Sequence, residues 1–129
     1  MNPTYVSLGD DWDLEIATTP RKNININLTW APIFADSDVR YHITKCDADE
    51  ALRIADRCDR LLAACEKAEP CKVALKTRGR AIAYLCSWEQ RLPALLVSDA
   101  DLQIRIPLIA DDSIRVLQDA LRDAAEELV

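Results

Sequence analysis

Two periodicities divide this chain. Trp12, Leu14 and Ile16 alternate with Asp13, Glu15 and Ala17, a period of two that predicts a half-buried strand. Thr19-Pro20-Arg21-Lys22 reads as a turn. Beyond it Ile24, Ile26, Leu28 and Trp30 alternate with Asn23, Asn25, Asn27 and Thr29, giving a strand with one apolar and one amide-rich face. A short Ile33-Phe34 segment after Pro32 adds another strand, and Val39, Tyr41 and Ile43 against Arg40, His42 and Thr44 make a fourth. From Asp47 the spacing changes. Ala51, Ile54, Ala55, Cys58, Leu61, Leu62 and Cys65 fall three and four apart, the mark of an amphipathic helix, with Asp47 or Asp49 as its N-cap and Pro70 beyond its end. Asp49 with Arg53, and Asp56 with Arg60, form i,i+4 pairs on its outer face that contribute about a few tenths of a kcal/mol each.

The second half follows the same plan. Lys72 to Lys76 is a strand with Val73 and Leu75 on one face, Thr77-Arg78-Gly79-Arg80 a turn, and Ala81 to Trp88 a strand that sets Trp88 where Trp30 stood. Pro93 to Val97 and then Leu102, Ile104 and Ile106 supply two more strands. A closing helix carries Ile114, Leu117, Leu121, Ala124 and Leu128 on one face.

The resemblance between halves extends to single residues. Asp36-Ser37-Asp38-Val39 matches Asp99-Ala100-Asp101-Leu102, and one constant offset carries Ile43 onto Ile106, Asp49 onto Asp112 and Asp56 onto Asp119. A duplicated unit of this kind fixes architecture before any motif is found. The expectation is an α+β fold: one compact domain over residues 1–129, built as a tandem pseudo-twofold repeat of a ββββα unit, with units at about 1–69 and 70–129. That strand order resembles the Whirly and PUR-repeat families. The likeness is carried by the order itself and by the last strand running into its helix, Gln103-Ile104-Arg105-Ile106-Pro107-Leu108 then Asp111-Asp112-Ser113-Ile114. It implies a single-stranded nucleic-acid-binding fold and assigns no binding residue to any position here.

Composition narrows the class. The chain has 129 residues, half of them hydrophobic, enough for one sizeable core. No apolar run is long enough to span a bilayer, and Met1 to Asp13 has neither the basic start nor the apolar stretch of a signal peptide, which points to a cytoplasmic protein. Five cysteines, Cys46, Cys58, Cys65, Cys71 and Cys86, are odd in number and lie in apolar periodic segments, as reduced, buried thiols do.

The net charge is −6, with the acidic excess in the first half. Asp10, Asp11, Asp13 and Glu15 cluster near the first hairpin, and Asp112, Asp119, Asp123 and Glu126 run along the closing helix. These eight are the candidate contacts for a basic protein partner, since charge complementarity raises association rate and selectivity. The only basic concentration, Lys72, Lys76, Arg78 and Arg80, lies on the second half's first hairpin. With the amide row Asn23, Asn25 and Asn27 it forms the candidate contact set for single-stranded nucleic acid, where a local basic surface is needed to neutralise phosphates. Trp12, Trp30 and Trp88 stand in phase with Leu and Ile, so core packing is expected in place of base stacking.

Chemistry-bearing motifs are sparse. Asp36-x-Asp38 and Asp99-x-Asp101 offer oxygen ligands, but the same residues make Asx turns between strands. His42 and Cys46 have no second pair at zinc-site spacing, and as i and i+4 residues of a strand they stand too far apart for a thiolate pair unless the strand ends there. Neither a glycine-rich phosphate loop nor a nucleophile elbow occurs. The sequence therefore predicts a non-enzymatic binding or regulatory protein, a small acidic inhibitor or adaptor, with no catalytic residue, metal or cofactor. In size and charge it is similar to inhibitors of nucleic-acid enzymes carried by phages and mobile elements. Single-stranded nucleic-acid binding is the alternative. Monomer and homodimer are both open, because an internal pseudodimer satisfies its own sheets whereas a free strand edge recruits a second copy.

Overall fold

A computed structural model describes residues 3–9, 11–30, 39–76, 82–86, 93–99, 102–108 and 112–128; the side chains of 76, 82–86 and 102 lie outside that description. The architecture is α+β, with antiparallel sheets and two amphipathic helices. Strands β1 (Thr4–Gly9), β2 (Trp12–Thr18), β3 (Ile24–Trp30) and β4 (Val39–Cys46) lie side by side in that order, followed by α1 (Ala48–Lys67). Strands β5 (Lys72–Lys76), β6 (Ile82–Cys86), β7 (Ala94–Asp99) and β8 (Leu102–Pro107) form a second sheet in chain order, followed by α2 (Ser113–Glu127).

The period-two pattern explains the faces of the first sheet. Val6, Leu14, Leu28 and Tyr41 share one rung across its four strands, and Ile16 stands opposite Ile26 on the same side. These residues face a single core that takes in both sheets and both helices, including Ile54, Cys58 and Leu61 of α1 and Ile114, Leu117 and Leu121 of α2. Trp12 and Trp30 face each other at the end of this side, with ring centroids 5.8 Å apart and planes tilted by 31°. Trp12 packs against the core, as its phase with Leu14 and Ile16 requires. In β4 the pairing slips between Ile26 and Asn27, so that Ile43 is the extra residue of a bulge, and it is fully buried. A bulge of this kind re-aims the residues on either side of it.

The helices do not stay with their own sheets. α2, which follows the second sheet, packs on β1 and β2, while α1 packs on β5 and on α2. Ser113 at the start of α2 donates a 2.8 Å hydrogen bond from Oγ to the carbonyl of Ser7 in β1. Between the helices, the buried Gln118 donates from Nε2 to the Ala55 carbonyl and to Asp59 Oδ1, at 2.8 and 2.7 Å. Apolar burial, worth roughly 25 cal/mol per Å², is thus shared across sequence halves, and each sheet depends on the helix of the other half.

Caps and turns follow local chemistry. Asp47 caps α1 by accepting the Glu50 N–H at 2.8 Å, and the helix closes on Ala68 at φ 55°. The N–H groups of Ala68 and Glu69 return to the carbonyls of Cys65 and Ala64 at 3.3 and 2.9 Å, the arrangement usually given to glycine. Gly9 (φ 91°) and Asp11 (φ 68°) carry the left-handed backbone of the β1–β2 turn, which glycine and aspartate tolerate.

Several expectations need correction. Thr4–Gly9, to which the periodicity assigned no element, is the first strand of its sheet. The expected Ile33-Phe34 strand lies outside the described residues, as do Trp88 and the Thr77–Arg80 turn. The match that set Lys72–Lys76 against the Trp12 strand fails on topology: Lys72–Lys76 is the first strand of its sheet and Trp12–Thr18 the second of its own. Amphipathic strands share a period whatever their place in a sheet, so periodicity alone slid the halves past each other. The two outer-face ion pairs of α1 also give way. Asp56 and Asp59 instead approach Arg122 of α2, at 3.5 and 3.7 Å, because the helices lie together.

Candidate functional site

The side of the first sheet turned away from the core is the most elaborated polar surface among the described residues. Tyr5, Glu15, Asn27 and His42 form one rung across all four strands, and Ser7, Asp13, Thr29 and Arg40 form the next. Glu15 holds the first rung together. Its Oε2 accepts hydrogen bonds from Tyr5 Oη at 2.9 Å and Arg40 Nη2 at 3.0 Å, and its Oε1 accepts from Asn27 Nδ2 at 2.9 Å. With Nδ2 committed to the carboxylate, Asn27 presents Oδ1 to His42 Nδ1 at 2.8 Å. That contact requires the proton on Nδ1, since an amide oxygen only accepts.

Burial within this cluster is graded. Glu15 is 4% exposed and Asn27 is also buried, whereas the Tyr5 residue is 51% exposed and the Arg40 side chain 62%. A buried carboxylate must be met by donors, and three reach it. The outer groups therefore stand on the surface with their positions set from beneath. The hydrogen bond to Glu15, followed by burial of the phenol, raises the Tyr5 pKa above 10.0.

Among the predicted acidic contacts, Glu15 is a correction: it is buried and engaged inside the protein. Alternation with Trp12 and Leu14 correctly set it on the polar side, but Tyr5 and Arg40, far away in sequence, close over it. Asp10 lies outside the described residues. Asp11 is exposed in the turn, and Asp13 is half-buried on the open face, with no ion pair among the described residues. Desolvation first, and the neighbouring Asp11 second, raise the Asp13 carboxyl above its ordinary value. Asp112, Asp119, Asp123 and Glu126 are exposed at the start and along the outer side of α2. The Ser113–Ser7 bond sets Asp112 beside β1, whose Ser7 faces Asp13. Asp11 and Asp13 lie at the β1–β2 end of the open face, whereas α2, with Asp112 at its start, packs on the core side of the same sheet.

The alternative contact set is not assembled in the same way. Lys72 is exposed on β5, while the Lys76 side chain, Arg78 and Arg80 lie outside the described residues. Asn23 precedes β3, and its backbone N–H donates to Thr19 Oγ1 at 3.2 Å. Asn25 is half-buried, with an Oδ1 that accepts no hydrogen bond among the described residues. Asn27 is engaged at both ends of its amide. The row expected to be an open amide face is therefore partly internal.

Other candidate chemistry separates in space. His42 is exposed on the open face, whereas Cys46 is buried on the core side. Burial, together with Glu50 and Asp47, pushes the Cys46 thiol up to about 11. Cys58, Cys65 and Cys71 likewise form no disulfide, and Cys86 has its side chain outside the description. Asp99 accepts a 2.8 Å hydrogen bond from Tyr41 Oη, whereas Asp36, Asp38 and Asp101 lie outside the described residues. Among the described residues no three His, Cys, Asp or Glu gather closely enough to hold a metal ion, and no helix is long and apolar enough to cross a membrane.

Sequence reasoning missed Tyr5 and Arg40. The available signal was the polar residues on alternate positions, Asp13 and Glu15 in β2, Asn25, Asn27 and Thr29 in β3, and Arg40 and His42 in β4, which implied a shared face, but β1 was not read as a strand. Comparison of the chain with protein-family models, characterised proteins and solved structures finds no match.

Proposed function

We propose that the chain is a non-enzymatic binding protein, an inhibitor or adaptor that engages a basic protein partner through its acidic surface. The observation that carries this reading is the row of exposed carboxylates Asp112, Asp119, Asp123 and Glu126 along α2, with Asp11 and Asp13 as a second acidic site at the β1–β2 end of the open face. On a chain of net charge −6 such a surface favours rapid encounter with positive partners and slows it with negative ones. Nucleic-acid binding is less well supported, because Asn27 is committed internally and the chain as a whole repels phosphate. The two ββββα segments are, in our reading, copies of one duplicated unit, supported by the element order and by the corresponding contacts of α2 with β1 and α1 with β5.

The test is affinity capture at low and high salt with the intact chain and two variants, one carrying Asp11→Lys and Asp13→Lys, the other Asp112→Lys, Asp119→Lys and Asp123→Lys. The expected result is a basic partner retained by the wild type at low salt, released by salt and lost from one of the variants. Equal retention by both variants, or no partner under any condition, would overturn the reading.

A further inference from the structure

We infer that the partner docks on the open face of the first sheet, with Tyr5 and Arg40 as its anchors, through a segment that presents Lys or Arg to Asp13 and an apolar or aromatic side chain to the Tyr5 ring. This rests on the proposed role as an acidic binding protein and names where and what that protein binds.

The support comes from beneath the face. A buried carboxylate is a poor way to stabilise a sheet, because desolvation offsets most of the attraction it gains. Glu15 nevertheless sits buried below Tyr5 and Arg40 and bonds to both through one oxygen, at 2.9 and 3.0 Å. Its evident effect is to fix two long side chains that would otherwise wander. Tyr and Arg dominate the energetics of protein interfaces, and a side chain already held in place loses less freedom on binding. Their exposure leaves the Tyr5 ring and the remaining guanidinium N–H groups open to a partner. Charge decides which partner. Asp13 lies one rung away, partly desolvated beside Asp11, with no cation paired to it among the described residues. A Lys or Arg brought to this position meets two carboxylates, whereas an acidic segment meets like charge.

The experiment is an amide NMR titration of the whole chain at low salt with three probes: a peptide alternating lysine and phenylalanine, one of equal length alternating glutamate and phenylalanine, and a thymidine oligonucleotide. The lysine peptide is expected to shift the amides of Tyr5, Asp13 and Arg40. Tyr5→Ala and Arg40→Ala, at exposed positions, should each weaken it roughly tenfold or more. Glu15→Gln, which keeps the shape of the side chain but not its charge, should weaken it while the remaining spectrum stays folded. Asp119→Lys should leave this affinity within about twofold, the behaviour of a site distant from the contact. Shifts confined to α2 would overturn the docking site and leave the acidic-partner reading standing. No binding by the lysine peptide would overturn both. Tighter binding of the glutamate peptide or the oligonucleotide on this face would overturn the assigned partner.

Discussion

The middle rung of the first sheet's open face holds Tyr5, Glu15, Asn27 and His42; the corresponding rung of the second holds Ala74, Tyr84, Leu96 and Arg105. Both sheets are four-stranded and antiparallel, in chain order, and both contribute to one core. A sheet of this size is thus built in the same molecule without a carboxylate on that rung. The difference teaches that the buried Glu15 cluster answers to what the first sheet presents, and that the fold itself does not require it. The shared core carries the opposite message: the sheets differ on their outer faces and depend on each other within.

The strongest way to break this comparison is to separate the halves. Residues 1–69 alone lack α2, which packs on β1 and β2, so Val6, Leu8 and Leu14, all buried in the whole chain, would lose part of their cover. The fragment is expected to show no cooperative thermal transition by circular dichroism and poor dispersion by NMR. A sharp melt near that of the whole chain would mean that the first sheet stands alone and that the helix exchange contributes little.

A smaller effect compares the two rungs directly. Glu15→Ala leaves the buried Asn27 Nδ2 without its acceptor and is expected to destabilise the chain by about 2 kcal/mol in urea unfolding. Because the Arg40 side chain is 62% exposed, losing its ion pair adds little. Arg105→Ala, at an exposed position on the matching rung, where an ion pair contributes little, should cost no more than about 1 kcal/mol. Equal losses would show that the two faces bear the same structural load, and the distinction between them would fall.

Much of the framework was legible because periodicity reports burial. The Trp12, Ile24 and Val39 strands and both helices follow from which residues must avoid water, and Asp47 was readable as a cap from its place before the apolar spacing. The polar rung was only half legible. Alternation placed Glu15 and Asn27 opposite the apolar face, but whether such residues meet water or one another depends on strand register, which is set across the chain. Glu15 pairs with Tyr5, ten positions earlier, and with Arg40, twenty-five later; nothing local distinguishes it from Asp13. Helix exchange was equally invisible, since an apolar stripe states that it will be covered and not by which sheet.

The mildest test concerns the seam between the sheets. Tyr41 shares the core-facing rung with Val6, Leu14 and Leu28, and its hydroxyl donates to Asp99 Oδ2, at the end of β7, at 2.8 Å. Burial first, then the Asp99 carboxylate, pushes the phenol from 10.0 up to about 12. Tyr41→Phe removes one hydrogen bond and is expected to cost about 1 kcal/mol near neutral pH. The pH dependence identifies the cause. A pKa raised on folding means that the native state holds the proton more tightly than the unfolded chain, so the stability from Tyr41 is fully present below 10.0 and is lost as pH climbs towards about 12. The gap between wild type and Tyr41→Phe in urea unfolding should therefore narrow over that interval and close or reverse by its end. A gap that stays constant would show that the Tyr41–Asp99 bond does not tie the two sheets together, leaving their coupling to the shared apolar core and the exchanged helices.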